Sequence, residues 1–386
     1  MTEANIVGWG HTKFGRLTGS LEDLIIEAAR EAIDHADVDP AEIDGIWLGN
    51  FNSGLVKDGF VSSLALGVDD RLRFTPATRL ENACASGSAA IYGARDAIRA
   101  GWAKTVLVIG AEKMTAQDTA GVTAALSGAS YQREESDVSF PEVFARFARS
   151  YFQANGDQSL TLAKIAAKNH ANALHNPLAH MQKSLGVDFC NTVSERNPLI
   201  AAPLRMSDCS LISDGAAAMI MVADDRVADF DQAVTFRAAV QVNDFLPMSR
   251  RDLLAFDGPF EAFRRAYAAG GITVDNIDFA EVHDCFTIAE LLVYEAMGLA
   301  PRGQGVSVVE DGSIMAGGRL PVNLSGGLKA KGHPVGATGV SMHVIAARQL
   351  TGNAVGMQHP GAMLGCVFNM GGSAVANYCS ILEPVR

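Results

Sequence analysis

EAAREAIDHADVDPAEID, residues Glu27 to Asp44, returns as EAFRRAYAAGGITVDNID, residues Glu261 to Asp278. A constant shift of 234 positions aligns the two without a gap, setting Glu27 on Glu261, Ala28 on Ala262, Arg30 on Arg264, Ala32 on Ala266 and Ile43-Asp44 on Ile277-Asp278. In each copy a helical pattern runs into a short apolar strand, Gly45-Ile46-Trp47-Leu48 in the first and Phe279-Ala280-Glu281-Val282 in the second. Asn50 and Phe51 follow the first strand; Asp284 and Cys285 follow the second.

A second pair of segments repeats in the same order. Cys84-Ala85-Ser86-Gly87 opens a helix predicted to end near Arg99, and Thr105-Val106-Leu107-Val108-Ile109 reads as a buried strand. His333 to Gly339 opens a helix predicted to end near Leu350, and Leu364-Gly365-Cys366-Val367-Phe368 is its strand. One match could be a coincidence between amphipathic helices; two in the same order point to duplication. The fold class is therefore α/β, with largely buried sheets flanked by helices. Cys84 and His333 fall at equivalent helix entrances of two halves related by approximate twofold symmetry.

A chain of 386 residues exceeds the usual single-core limit, so two domains are expected. The first half spans residues 1–225 and carries an insertion at about 115–206, with helical stretches at Val143–Asn155 and Thr161–Leu174. Ala216 to Val222 returns to a strand pattern, Asp224-Asp225-Arg226 reads as a hinge, and 226–386 form the second half. A net charge of −12 argues against nucleic acid or an anionic membrane as the main partner. No apolar run reaches the roughly 18 residues of a membrane span. Six cysteines without pairing rhythm fit a reduced compartment. Met1 to Asn5 lead into a strand pattern without a charged leader, and Glu383 to Arg386 hold no organelle address, so the expected location is the cytoplasm.

The chemistry concentrates in four motifs. Gly326 to Gly339 reads GGLKAKGHPVGATG, a turn with five glycines and a proline that aims the imidazole of His333. Cys84 stands among small residues at a helix entrance, where the dipole favours thiolate; the alternative is an inert buried thiol. In Glu281-Val282-His283-Asp284-Cys285-Phe286, an extended chain would put His283 and Cys285 on one side. Asp284 could instead cap the apolar helix from Thr287 to Met297. Phe368-Asn369-Met370-Gly371-Gly372-Ser373 is a glycine turn able to point N–H groups at an oxyanion. A positioned Cys and a positioned His suggest acyl transfer through a thioester. His170, His175 and His180 are spaced by five, which does not stack ligands on one helical face, so solvated or capping roles are expected and no metal is required. The chain has no dinucleotide fingerprint, phosphate loop or Gly-x-Ser-x-Gly elbow.

The set ENACASGSAA, HDCF, GGLKAKGHPVGATG and NMGGSA resembles the thiolase superfamily across nearly the whole chain, and HDCF resembles its sterol-carrier-protein-type members. The resemblance implies the thiolase fold, two βαβαβαββ halves in five layers (αβαβα), with an inserted loop domain that binds coenzyme A. It implies Cys84 as acyl-accepting nucleophile, His333 as its activator, His283 and His333 on the thioester oxygen, and Cys285 as the second acid/base. Backbone N–H groups of Cys84 and Gly371 would form a second oxyanion hole. Most thiolases carry a Cys-x-Gly motif near the carboxyl end; Cys366 lacks that glycine, so Cys285 takes the proton-shuttling role and Cys366 is read as a strand residue. Coenzyme A would be a substrate, with no covalently bound cofactor; Arg146, Arg149, Lys164, Lys168 and Lys183 of the region around 143–183 could meet its phosphates, the default reading being a solvated charged face.

The expected reaction is thiolytic cleavage of a 3-oxoacyl-CoA or the reverse condensation, by a homodimer or homotetramer. A retro-aldolase acting on a steroid side-chain CoA ester with a small OB-fold partner, and a non-catalytic acyl-CoA- or lipid-binding protein, are the competing readings. Ketosynthases use two histidines without the HDCF cysteine and fit less well.

Overall fold

A computed structural model describes residues 2–136 and 138–385. The described residues form eleven strands: β1 (Ala4–His11), β2 (Gly45–Gly49), β3 (Ala77–Leu80), β4 (Thr105–Glu112), β5 (Leu199–Ala201), β6 (Leu204–Arg205), β7 (Gly215–Ala223), β8 (Val234–Asn243), β9 (Phe279–Val282), β10 (Gly365–Gly371) and β11 (Ala376–Pro384). Nine of them join in the order β3-β2-β4-β7-β1-β8-β11-β10-β9, and β5 and β6 form a separate hairpin.

That order reads nearly the same from both ends. On one side β1 pairs antiparallel with β7, β7 antiparallel with β4, and β4 parallel with β2. On the other, β8 pairs antiparallel with β11, β11 antiparallel with β10, and β10 parallel with β9. Parallel β3 extends one end, and an isolated parallel bridge from Ala280 to Val322 stands in its place at the other. The halves meet in a short antiparallel junction, Asn5 opposite Thr235 and Ile6 opposite Val234.

The aligned apolar residues of the repeat are buried in both copies. Helix Leu21–Ala36 lays Ala28 and Ala32 on β1 and β7; helix Asp257–Gly270 lays Ala262 and Ala266 on β8 and β11. The aligned Arg30 and Arg264 stay exposed, the alternation expected of a helix with one apolar face. The predicted helices after Cys84 and His333 are Ser86–Arg99 and Thr338–Leu350, and they pack on β2 and β4 and on β7 and β10 respectively. Nearly every residue of Thr338–Leu350 is buried, which marks it as an inner layer. The layers run helix, sheet, helix pair, sheet, helix.

The two inner helices touch at their entrances, and glycine makes that approach possible. A Cβ on Gly339 would lie 2.3 Å from the Ser88 nitrogen, and one on Gly87 would lie 2.9 Å from the Gly336 oxygen. Any side chain here would push the entrances apart.

The insertion holds helices Thr119–Ser127, Gln132–Glu135, Phe140–Asn155, Ser159–Ala173 and Val187–Asn191 and the β5–β6 hairpin. Two begin earlier than the apolar pattern predicts, because Ser139 caps the first and Pro141 fits its opening turn. The helix at Thr119–Ser127 was not foreseen, because its exposed positions are mostly alanine and no alternation of polar and apolar residues marks the buried Val122 and Ala125. The expected hinge is instead a tied 3₁₀ turn, Asp224–Asp229: Asp224 accepts from the Glu3 N–H and the Asn5 amide, and Arg226 pairs with Glu42 and Asp229. No helix among the described residues is long and apolar enough to cross a membrane.

Candidate active site

Cys84 lies between β3 and helix Ser86–Arg99, one residue outside the helix proper. Ala83 takes a left-handed backbone (φ 51°), which tips the cysteine inward, and the Ser86 hydroxyl binds the Asn82 N–H and the Ala83 carbonyl to hold the turn. Cys84 is 4% exposed. Burial pushes its pKa up to about 12; the Gly372 N–H, the strongest opposing influence, lowers it only in part, and the Glu112 carboxylate raises it further. Desolvation thus opposes the thiolate that the helix entrance was expected to favour. The amide facing the sulfur is that of Gly372, and a Cβ on its neighbour Gly371 would lie 2.1 Å from the Asn82 carbonyl oxygen.

His333 follows a π-helical turn, Gly327–Lys331, and Gly332 at φ 118°. Its Nδ1 is 2.8 Å from the Thr338 hydroxyl, which itself donates to the Pro334 carbonyl at 3.0 Å. With that hydrogen committed, the hydroxyl oxygen accepts from Nδ1–H, so Nε2 carries a lone pair. Burial, helped by the nearby Lys331 charge, lowers the His333 pKa to about 3.

His283 stands just past β9, beside Asn369 on β10. The Asn369 Nδ2 lies 2.9 Å from His283 Nδ1. Burial lowers the His283 pKa well below its ordinary value, and the neighbouring His333 adds to this. The two imidazoles meet edge to face, with centroids 5.2 Å apart. The Cys84 sulfur and one ring nitrogen from each histidine all lie within 4.8 Å of one another. Nε2 of both histidines is buried with no hydrogen-bond partner among the described residues. Both nitrogens are therefore free of protein partners and can meet a substrate atom.

Cys285 is 2% exposed, and burial holds its thiol well above the ordinary range. It lines, with Cys84 and His333, a cavity of about 430 Å³ whose other walls include Met114, Val122, Leu126, Ile212 and Phe286. Asp284 faces away from the cavity, as alternation demands. It does not cap the next helix, whose entrance has no side-chain cap. Its carboxylate accepts instead from the Leu328 and Lys329 N–H groups and from Asn169.

Glu112, at the end of β4, does the same for the other side of the His333 segment: it accepts from Gly336 N–H, from Phe51 and Asn52 N–H, and from the Asn50 amide. Burial raises both carboxyls to about 7. Glu112, Asn369 and Thr338 escaped the sequence reading. The available signal was a polar residue closing an apolar strand at Glu112, inside one at Asn369 and opening a helix at Thr338, and only pairing in three dimensions explains it.

The basic residues of the insertion fare differently from the expectation. Lys168 is buried on Glu290 and the Val322 carbonyl, each at 2.8 Å, so it cannot meet a phosphate. Arg149 is engaged by Glu142 and the Ala202 carbonyl, and Arg146 leans on Glu135 at 3.7 Å. Lys164 is half-buried and Lys183 exposed. His170 is buried between the Lys183 carbonyl and Lys329, not solvated; His180 meets Ser213, and His175 is exposed. Cys366 is a fully buried residue of β10, as its position in the strand motif implied.

Duplicated α/β halves bring Cys84 and two histidines together, with Cys84 and His333 lining an apolar cavity, an arrangement of the kind found in acyl-transfer enzymes. The chain belongs to the thiolase family: the Thiolase, N-terminal domain model matches residues 4–189 and the Thiolase C-terminal domain-like model matches 240–384. It is an acyltransferase of that family. It is 38% identical over 381 residues to an acetyl-CoA acetyltransferase of Methanothermobacter thermautotrophicus, covering 97% of each chain. It is 32% identical to sterol carrier protein 2 of Homo sapiens, over 96% of this chain and 70% of that protein. In fold it is similar to the solved Ltp2–ChsH2(DUF35) aldolase, with a TM-score of 0.83 at 22% identity, covering 100% of this chain and 98% of that one.

Proposed function

We propose that the protein cleaves 3-oxoacyl-CoA with coenzyme A, or runs the reverse condensation, through an acyl group carried on Cys84. The observation that carries this reading is the convergence of the Cys84 sulfur and the two histidine nitrogens within 4.8 Å, beside an apolar cavity that Cys84 and His333 line. His333 Nε2 takes the Cys84 proton as the sulfur attacks the 3-oxo carbon, whose oxygen moves toward the Cys84 and Gly372 N–H groups. The C2–C3 bond breaks; its electrons become an enolate whose thioester oxygen is held by His283 Nε2–H and the newly charged His333. Cys285 gives its proton to C2, and the shortened acyl-CoA leaves. The Cys285 thiolate then takes the proton of incoming coenzyme A, whose sulfur attacks the acyl-cysteine, and His333 returns the first proton to Cys84.

The resting pair is a neutral thiol beside a neutral imidazole, so proton transfer accompanies attack instead of preceding it. The His333 donor to the enolate oxygen exists only after that transfer. The palindromic strand order supports the division into halves at 1–225 and 226–386, with the loop region near 115–206. The open outer edge of β3, with Phe74 83% exposed and Phe60 90% exposed, supports a second copy docking there. We place the protein in the cytoplasm.

The test is a coenzyme A-dependent cleavage assay on wild type and Cys84→Ala. Turnover lost in the variant is expected; full turnover in Cys84→Ala overturns the reading. A retro-aldolase working with a small partner protein would not need the Cys84 sulfur at the cavity, and would survive that substitution.

A further inference from the structure

The two histidines of the site are equally buried, yet their ring protons sit on opposite nitrogens, and one residue outside the cavity decides this for His283. The Asn369 amide has its orientation fixed independently of the histidine. Its Nδ2 lies 3.3 Å from the Cys84 carbonyl, which can only accept, and its Oδ1 receives the Ser88 hydroxyl at 2.8 Å. Gly339 makes room for this link: a Cβ there would lie 2.5 Å from the Ser88 hydroxyl and 2.8 Å from the Asn369 oxygen. With the amide so held, Nδ2 donates to His283 Nδ1, and Nδ1 must be the unprotonated nitrogen.

We propose that Asn369 is a positioning residue that keeps the His283 proton on Nε2, making that atom a standing donor into the cavity, while Thr338 gives His333 the opposite tautomer and so a base. The catalytic consequence rests on the acyl-transfer reading. The tautomers themselves rest only on the hydrogen bonds of Asn369 and Thr338. The same bond ties the Cys84 backbone of one half to His283 of the other, so nucleophile and oxygen donor keep a fixed spacing. The cluster also meets a metal ion poorly, because a ligating His283 Nε2 would have to lose its proton and break the Asn369 bond.

The experiment uses the full chain labelled with ¹⁵N-histidine, recording long-range ¹H–¹⁵N spectra at pH 8, with His283→Asn and His333→Asn to assign the signals. We expect Nδ1 of His283 unprotonated and its Nε2 protonated, with the reverse for His333. In Asn369→Asp the side chain accepts instead of donating, so Nδ1 of His283 becomes protonated. The kcat of thiolysis then falls about a hundredfold with KM nearly unchanged, the pattern of a misplaced oxyanion donor. A wild-type His283 protonated on Nδ1, an Asp variant whose Nδ1 stays bare, or a kcat within twofold of wild type overturns the proposal. Should Asn369→Asp fail to fold, the wild-type spectrum decides alone. Absence of acyl transfer in wild type would remove the proposed function and leave the tautomer assignment standing.

Discussion

The entrance at Cys84 and the entrance at His333 are equivalent positions of a duplicated scaffold, and they are held in different ways. Around Cys84 the backbone turns on one left-handed alanine and the Ser86 hydroxyl, and the sulfur faces an amide in an otherwise apolar wall. The segment carrying His333 is gripped at both ends by buried carboxylates, Asp284 on residues 328 and 329 and Glu112 on Gly336. Duplication supplies placement; the neighbours assign the role. A nucleophile needs a small, yielding surround that admits a bulky tetrahedral centre, whereas a base must hold one direction through the reaction.

The sharpest way to break the comparison is to remove each reactive atom in turn. Cys84→Ala is expected to lower kcat by on the order of 10⁴-fold or more, with thermal stability close to wild type, measured by thiolysis rate and calorimetry. His333→Asn removes a lone pair that an amide cannot replace, and a loss of about 10³-fold in kcat is expected.

His283→Asn should behave differently, because an amide still donates; about a tenfold loss is expected, against about a hundredfold for His283→Ala. Equal losses for Asn at both positions would show that the two histidines share one role.

Alkylation separates the entrances by pH. Since burial pushes the Cys84 thiol up to about 12, iodoacetamide should label it slowly at pH 7 and progressively faster as pH rises beyond 9, with no plateau near neutrality. Peptide mass mapping follows the label, and a plateau below pH 8 would reveal a thiolate already formed at rest.

The smallest effect concerns the grip itself. The Glu112 carboxyl is raised by burial from 4.5 to about 7, so the folded protein binds this proton more tightly than the unfolded chain. The sign follows: its contribution to stability is greatest below about pH 4.5 and declines as pH climbs to about 7. Glu112→Gln should flatten that decline, by roughly 1–3 kcal/mol between pH 5 and 8, read from denaturant midpoints.

Much of this site was legible as sequence because duplication and motif spacing are one-dimensional. The repeat located β2 and β9 and the two inner helices, and GGLKAKGHPVGATG and HDCF located the histidines. What escaped depends on contacts between distant elements. Asn369 looked like part of a turn, yet its amide spans Cys84 and His283. Lys168 looked like a surface cation, yet Glu290 and the Val322 carbonyl draw it inside. Cys84 looked like a thiolate from its helix, yet the wall formed by Met114, Val122 and Val335 removes the water that a thiolate requires.

The most direct test of the account is to mix the enzyme with a 3-oxoacyl-CoA in the absence of free coenzyme A, quench in acid and map the peptides by mass. The account predicts one acyl group on the peptide bearing Cys84, released when coenzyme A is added before the quench. Rapid cleavage of the substrate with every cysteine peptide unmodified would contradict it.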